Sequence, residues 1–325
     1  MLILKISPKR IARKKIEIAS KLLREGKLVA FPTETVYGLG ASAFNREAIE
    51  RVYEIKGRGK EKALTVHIAN KEDVNLFAKE IPPIGERLIS LFWPGPLTII
   101  LPKKKEVPKE ISPTDKVGLR MPSHPISLYL LEGSGPAVAP SANLSGYPSP
   151  TTAQMVIEQL EDKIDCLIDG GKTPLGIEST VIDVTDKPVI LREGMITKEE
   201  IERAIDEEVE IREVRKAFVF PARVIVVEGE EPEKIAGVIK KTIKTTDGAG
   251  VIATKEVCSL LPKGIKKESW GSREDVMGIA RRFFSVLDKM KTYNLLIVEN
   301  PPAEGIGKVL RNKLLHFAEE VVKIC

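Results

Sequence analysis

Three short polar clusters, far apart in the chain, carry side chains that could bind charged small molecules. The first is V-A-F-P-T-E-T-V-Y-G-L-G, from Val29 to Gly40. It runs from a predicted apolar strand, Leu28–Phe31, into a predicted loop. The second is Lys56-Gly57-Arg58, and the third is Pro140-Ser141-Ala142-Asn143. Each cluster alone could be an ordinary strand end, helix end or turn. Together they predict one site in which a small polar ligand lies beside a phosphate-bearing one.

Lys56 and Arg58 are predicted to leave the end of a helix separated by one glycine, so that both can turn toward one ligand. Arginine offers a planar fork of donors and lysine offers a compact charge, which is a suitable pairing for phosphates or carboxylates. A simpler interpretation stays open, because cations favour a helix C-terminus even without a ligand.

Ser141 and Asn143 follow a predicted strand, at the position where open α/β sheets bind ligands. A turn built from turn-forming residues is an equally good interpretation of this segment. His67 lies within a predicted strand and points away from its neighbours Val66 and Ile68. A lone histidine in a strand is more often packed than catalytic, so its chemistry is not decided by its position.

Arg120 ends a predicted strand and could clamp a carboxylate through two hydrogen bonds, unless it is an ordinary surface arginine. Ser179 follows a glycine-rich loop and could donate a hydrogen bond, unless it only forms the turn into the next strand. No histidine or cysteine partner stands at metal-ligand spacing, so no protein-bound metal is expected. The sequence lacks the P-loop, dinucleotide-binding and nucleophile-elbow motifs, which excludes those modes of binding and catalysis.

The composition is that of a globular protein of about two domains. The chain has 325 residues, of which 42% are hydrophobic and 30% are charged, and no apolar run is long enough for a membrane span. Cys166, Cys258 and Cys325 are widely spaced, which argues against a disulfide framework and favours a reducing compartment. The net charge of +5 is too small to establish nucleic-acid binding. We therefore expect a cytoplasmic protein without a membrane partner.

Two patterns of strands and helices divide the chain. Residues 1–208 combine many short strands, loops and helices, beginning with a helix over Pro8–Glu25, which predicts a twisted mixed sheet with helices over it. Residues 223–325 alternate strand and helix up to a last helix over Gly307–Val322, which predicts a small parallel α/β domain. The pattern is weak in residues 209–222, which are predicted to form the linker.

The motifs, taken in order, resemble a known family. They are F-P-T-E-T-V-Y-G-L-G, K-x-R, V-H-I, W-P-G-P-L-T, V-x-x-R-M-P, A-P-S-A-N, S-P-T and G-x-E-S-T-V-I-D. Over about residues 10–200 this ordered set resembles the YrdC-like threonylcarbamoyl-AMP synthases, although no single member is specific. The second domain, with its terminal G-I-G-K-V-L-R-N-K, resembles the Rossmann-like C-terminal domain of two-domain, archaeal-type members. Their linker resembles G-M-K-Y-R-H-Y-A-P, and the divergent segment here is V-R-K-A-F-V-F-P-A-R.

The resemblance implies a catalytic domain with a concave, positively charged cavity. It implies an enzyme that joins L-threonine, bicarbonate (or CO2) and ATP into threonylcarbamoyl-AMP, with release of pyrophosphate, for threonylcarbamoyladenosine modification of tRNA. Mg2+ would accompany ATP, and tRNA or a tRNA-modifying transferase complex would be a further partner. An alternative is a non-catalytic RNA- or nucleotide-binding module on the same fold. Carbamoyl transfer, as in the hydrogenase-maturation relatives, is disfavoured because their acylphosphatase and zinc segments are not visible.

Carried onto this chain, the resemblance implies two groups of binding residues. L-threonine would be bound by Thr33, Thr35, His67, Arg120 and Ser179, with Arg120 holding its carboxylate. ATP would be bound by Lys56, Arg58, Ser141, Asn143, Ser149 and Arg192. Lys56 and Arg58 would also be catalytic, because cations must screen the approach of the N-carboxylate of threonine to the α-phosphorus of ATP.

Overall fold

The computed structural model describes residues 1–212, 220–244, 246 and 248–324. Within them the chain forms two compact units, residues 1–145 with 149–212 and residues 146–148 with 220–324. Half of the predicted linker and more than half of the divergent segment fall on residues 213–219, which lie outside the described residues. The boundaries of the linker therefore stay a prediction.

The first unit mixes short strands with helices. Its strands are β1 (Leu2–Lys5), β2 (Val29–Pro32), β3 (Tyr37–Ser42), β4 (Thr65–His67), β5 (Leu97–Pro102), β6 (Lys116–Arg120), β7 (Ala137–Val138), β8 (Cys166–Asp169), β9 (Thr180–Asp183), β10 (Val189–Arg192) and β11 (Glu210–Ile211). Its helices are α1 (Arg13–Arg24), α2 (Arg46–Lys56), α3 (Pro83–Phe92), α4 (Pro125–Ser134), α5 (Ala153–Leu160) and α6 (Lys198–Ile205), with a 3-10 helix at Lys71–Leu76.

One sheet runs through the described part of this unit, in the order β1-β8-β2-β3-β7-β4-β6-β5-β9-β10-β11. It contains parallel pairs, such as β4 with β6, and antiparallel pairs, such as β2 with β3. This confirms the predicted mixed sheet.

The central strands of the sheet have two chemically different faces, because successive side chains of a strand point to opposite sides. On one face, Val66 and Leu119 are fully buried in the main apolar cluster of the unit. On the other face, the register of β4 and β6 places His67 beside Arg120. We call this second side of β4, β5 and β6 the polar face.

Helix α2 is fixed at both ends, and this sets the position of the basic pair. Asn45 caps its N-terminus by accepting a 2.9 Å hydrogen bond from the backbone N–H of Ala48. The helix ends at Gly57, whose φ of 56° lies in the left-handed region that glycine adopts without strain. Lys56 therefore occupies the last helical position, as the sequence predicts.

The second unit is a parallel α/β domain. Its strands are β12 (Arg223–Glu228), β13 (Gly250–Thr254), β14 (Lys267–Gly271), β15 (Leu295–Glu299) and β16 (Glu320–Lys323). Its helices are α7 (Pro232–Lys244), α8 (Lys255–Leu260), α9 (Val276–Met290) and α10 (Ile306–Leu315). All strand pairs in the order β14-β13-β15-β12-β16 are parallel over the described residues, which confirms the predicted architecture. In the described parts of both units, no helix is long and apolar enough to cross a membrane.

Two helices differ from their predicted extents. The sequence predicts a helix over Pro8–Glu25, but α1 begins at Arg13 because a separate backbone turn precedes it. The sequence also predicts a single helix over Gly307–Val322, whereas α10 ends at Leu315 and the edge strand β16 follows. The β-branched pair Val321-Val322 favours a strand, and it pairs in parallel with β12.

Candidate active site

The turn between β2 and β3 orients two hydroxyl groups through a chain of hydrogen bonds. Thr33 Oγ1 donates to the carbonyl of Val36 at 2.7 Å, which uses the only proton of that hydroxyl. Thr35 is therefore the donor in the 2.8 Å hydrogen bond between Thr35 Oγ1 and Thr33 Oγ1. Arg120 Nη2 in turn donates to Thr35 Oγ1 at 3.0 Å. The hydrogen bonds thus run in one direction, from Arg120 through Thr35 and Thr33 to Val36. Thr35 Oγ1 keeps one lone pair that can accept a hydrogen bond, but it has no free proton to donate.

Arg120 is buried, and the protein holds its guanidinium from several sides. Its Nη2 forms a 2.7 Å ion pair with Glu34 Oε1, and both side chains are only 5% exposed. Its Nε donates to the carbonyl of Gly95 at 3.3 Å, while Glu34 Oε2 accepts from the backbone N–H of Ser123 at 3.1 Å. Glu34 is not among the residues that the sequence predicts for the site. The signal that could have found it is a carboxylate between two threonines directly after a buried strand, since a buried carboxylate needs a cation or several donors nearby.

His67 is buried on the polar face and is neutral. Burial is the main cause, and together with the positive charges of Arg120 and Arg192 it lowers the pKa of His67 from 6.5 to about 3. The ring nitrogen Nδ1 is buried and has no hydrogen-bond partner among the described residues. A neutral imidazole nitrogen accepts or donates one hydrogen bond according to its tautomer. His67 is therefore suited to contact a polar group of a ligand.

The buried, neutral His67 should make the protein less stable in acid. An unfolded histidine gains a proton near pH 6.5, whereas folded His67 gains it only near pH 3, so unfolding binds a proton between these values. Stability is full above about pH 6.5 and falls by up to about 1.4 kcal/mol per pH unit as the pH drops toward 3. His67→Gln removes this term, so its urea midpoint should fall less between pH 7 and pH 4 than that of the wild type. Equal falls in the two proteins would contradict a neutral, buried His67.

Ser179 and Arg192 link the two predicted groups of binding residues. Arg192 donates to the carbonyl of Ser179 from Nε at 3.0 Å and from Nη2 at 2.8 Å, and Nη2 also donates to the Ser179 hydroxyl at 2.9 Å. The same hydroxyl lies 2.9 Å from Thr98 Oγ1 in β5, a residue that the sequence did not single out. Ser179 belongs to the predicted threonine group and Arg192 to the predicted ATP group, so this contact joins one member of each group.

Lys56 joins the second polar cluster of the sequence to the third. Its side chain is almost fully buried, and Nζ donates to the carbonyl of Ser141, to the carbonyl of Asn143 at 2.6 Å and to Asn143 Oδ1 at 3.3 Å. An ammonium group has three protons, so these contacts can take all of them. In the described structure Lys56 therefore holds the loop of Ser141 and Asn143, and a direct contact with ATP stays a prediction.

Backbone hydrogen bonds attach one loop to the turn between β2 and β3 and another to the start of β3. On one side, Ser141 forms an antiparallel bridge with Gly38 in β3. On the other side, the N–H of Leu175, in the loop between β8 and β9, donates to the carbonyl of Glu34 at 2.9 Å. The turn is thus braced by segments that lie more than 100 residues later in the sequence.

The two remaining ATP candidates have different surroundings. Ser149 is buried, and its hydroxyl donates to Glu178 Oε1 at 2.6 Å, in the loop that precedes β9. Arg58 is half-buried and donates to the carbonyls of Lys62 at 3.2 Å and Ala63 at 2.8 Å. These contacts connect Ser149 to the loop of Ser179 and hold Arg58 against the segment that leads into β4.

The described residues contain no group of three or more histidine, cysteine, aspartate or glutamate side chains that could hold a metal ion. Near the polar face, Glu34 pairs with Arg120 and Glu178 accepts from Ser149. We therefore assign no protein ligand to Mg2+. Mg2+ bound together with ATP stays a prediction, in which substrate phosphates and water would supply most of its ligands.

Family models identify the class of protein. A model described as telomere recombination, for the Sua5, YciO and YrdC proteins, matches residues 21–194. A second model, described as the C-terminal domain of threonylcarbamoyl-AMP synthase, matches residues 196–318. The chain belongs to the threonylcarbamoyl-AMP synthase family.

Individual relatives match along nearly the whole chain. The threonylcarbamoyl-AMP synthase of Pyrococcus abyssi is 42% identical over 94% of both chains, and that of Bacillus subtilis is 37% identical over 92% of both chains. The crystal structure of P. abyssi Sua5 complexed with L-threonine matches with a TM-score of 0.92 at 40% identity, covering 100% of both chains. These similarities confirm the predicted family, fold and enzyme class, and they favour the catalytic interpretation over the RNA-binding alternative.

Proposed function

We propose that this protein synthesises L-threonylcarbamoyl-AMP from L-threonine, bicarbonate or CO2, and ATP, and releases pyrophosphate. The product would supply threonylcarbamoyladenosine modification of tRNA. The observation that supports the proposal is the hydrogen bonding of Arg192, a predicted nucleotide residue, to Ser179, a predicted amino-acid residue, in a protein of this family.

The polar face complements an amino acid with a hydroxyl side chain. Arg120 would attract the carboxylate of threonine through the N–H groups that the described residues leave unused, since Nε and Nη2 already bond to the protein. Thr35 keeps a lone pair that can accept from an ammonium or hydroxyl group. His67 Nδ1 provides another hydrogen-bonding atom in the same buried environment.

The chemical step would depend on positioning and charge. The ammonium group of threonine first loses a proton. The resulting amine captures CO2 and releases a second proton to give an N-carboxylate, whose oxygen attacks the α-phosphorus of ATP while pyrophosphate leaves. Both reacting groups are anionic, so nearby cations would lower the repulsion between them: Arg192, and Lys56 and Arg58 as the sequence predicts. Mg2+, when bound with ATP, would neutralise further phosphate charge. Alignment of the two substrates supplies the rest, and no covalent enzyme intermediate is required.

Pyrophosphate release tests this function directly. The purified protein should release pyrophosphate from ATP only when L-threonine and bicarbonate are both present. Ser179→Ala should slow this release about tenfold, because it removes the hydroxyl that joins Arg192 to Thr98. Ser134→Ala is the matched control, because among the described residues the Ser134 hydroxyl bonds only to the neighbouring Gly135 carbonyl at the end of α4. Release that does not exceed the ATP-alone background would contradict the proposal.

The wider setting of the enzyme is also part of the proposal. Direct contact with tRNA or with a transferase complex, and location in the cytoplasm, stay predictions from the sequence. Co-purification of the tagged protein with tRNA or a transferase subunit, followed by sequencing and mass spectrometry, would test the partners.

A further inference from the structure

Glu34 stands between the two threonines of the turn, with its carboxylate buried. The residue is 4% exposed. Oε1 accepts from Arg120 Nη2 at 2.7 Å, and Oε2 accepts from the N–H of Ser123 at 3.1 Å. These two contacts tie the turn to the end of β6 and to the segment that follows it. A carboxylate so far from water is stable only with such partners.

We propose that Glu34 is a positioning residue for the amino-acid substrate, which rests on the proposed function. Arg120 Nη2 is shared between Glu34 Oε1 and Thr35 Oγ1, so the carboxylate fixes the orientation of the guanidinium. The guanidinium in turn occupies one lone pair of the Thr35 hydroxyl and directs its proton toward Thr33. Glu34 thereby determines that Thr35 presents an acceptor, and no donor, to the ligand.

The chemistry of the substrate makes this orientation important. The ammonium group of threonine only donates hydrogen bonds, so it requires acceptors. Without the carboxylate at position 34, the guanidinium can turn and the Thr35 hydroxyl can rotate its proton toward the ligand. The Thr35 hydroxyl and the ammonium group of the substrate would then both be hydrogen-bond donors. Their contact would weaken binding of the amino acid and leave ATP binding unaffected.

Glutamine at position 34 isolates this effect, because it has the same shape as glutamate. Its amide has one oxygen and one NH2 group, so it cannot accept from both Arg120 and Ser123. Glu34→Gln should raise the KM for L-threonine, and its dissociation constant by calorimetry, by at least about tenfold, as expected for loss of a charge-assisted hydrogen bond. The KM for ATP should change by less than about twofold, since among the described residues the Glu34 carboxylate bonds to Arg120 and Ser123 and to none of the predicted ATP residues.

Two further variants complete the test. Glu34→Asp keeps the charge and should recover part of the threonine affinity. Asp183→Asn is the matched control. It breaks the 2.8 Å ion pair between Lys116 of β6 and Asp183 of β9, two strands of the same sheet. It should leave both KM values within about twofold of the wild type, because Asp183 bonds to Lys116 and Thr185 and to none of the predicted substrate-binding residues among those described.

The outcomes separate the two proposals. An unchanged threonine KM in Glu34→Gln, or equal rises in the KM for threonine and ATP, would overturn the role of Glu34 while wild-type activity upholds the function. Absence of threonine-dependent pyrophosphate release in the wild type would overturn the function itself. If Glu34→Gln does not fold, Glu34→Asp decides, because its shorter carboxylate should raise the threonine KM more than the ATP KM.

Discussion

Lys56→Met should remove nearly all pyrophosphate release and lower the stability of the protein. Methionine keeps the length of the side chain but not the ammonium, so the carbonyls of Ser141 and Asn143 and the Asn143 amide oxygen lose their buried donor. A buried polar group left without its partner costs about 1–3 kcal/mol, so the free energy of unfolding should fall by about 3 kcal/mol or more. Activity should fall by more than about 100-fold, because the loop of Ser141 and Asn143 loses its anchor.

Lys103→Met is the matched control for this prediction. Lys103 also donates to a backbone carbonyl, that of Ser112 at 2.6 Å, but within the loop between β5 and β6. Denaturant midpoints and pyrophosphate release should be measured on both variants. If Lys56→Met loses no more stability or activity than Lys103→Met, the anchoring role of Lys56 is wrong.

Arg120→Met should be among the most destabilising substitutions in the first unit. It leaves the Glu34 carboxylate buried without its cation, and breaking a buried ion pair in this way costs about 3–5 kcal/mol. It should also abolish threonine-dependent activity, because the group proposed to attract the substrate carboxylate is gone. Urea unfolding and pyrophosphate release measure the two effects separately.

The double variant Arg120→Met with Glu34→Gln separates stability from function. Removing the unpaired charge should restore a large part of the lost free energy of unfolding, since the cost of Arg120→Met comes mainly from the buried carboxylate. Threonine-dependent activity should not return. A double variant as unstable as Arg120→Met alone would show that the lost stability has another source.

The sequence indicated which residues belong to the site better than it indicated the secondary structure of the first segment, Val29–Gly40. Residues after Phe31 were predicted to open into a loop, since they contain proline, two threonines and glycines, but Tyr37–Ser42 is strand β3. Glycine serves close packing here, because a β-carbon at Gly40 would lie 2.8 Å from Phe31 Cε1 and 3.0 Å from the carbonyl of Val29. This requirement comes from the paired strand β2, which local propensity does not show.

Residue types predicted which side chains belong to the site, but not how they pair. Lys56, Asn143 and Arg120 were all expected to bind substrate, and each proves to be held by protein groups far away in the sequence. The ion pair of Arg120 with Glu34 joins positions 86 apart, and the contact of Lys56 with Asn143 joins positions 87 apart. Such pairings follow from the order and register of the strands. Motif spacing alone could not give them, and it could not give the contact of Thr98 with Ser179 either.

The most direct test of the account is a crystal structure of this protein with L-threonine. The account predicts that threonine binds on the polar face, with its carboxylate at Arg120 and its ammonium or hydroxyl group within hydrogen-bond distance of Thr35 and His67. It also predicts that Glu34 keeps its bond to Arg120 in that complex. Threonine bound elsewhere, or an empty polar face at a threonine concentration that saturates activity, would contradict the central claim.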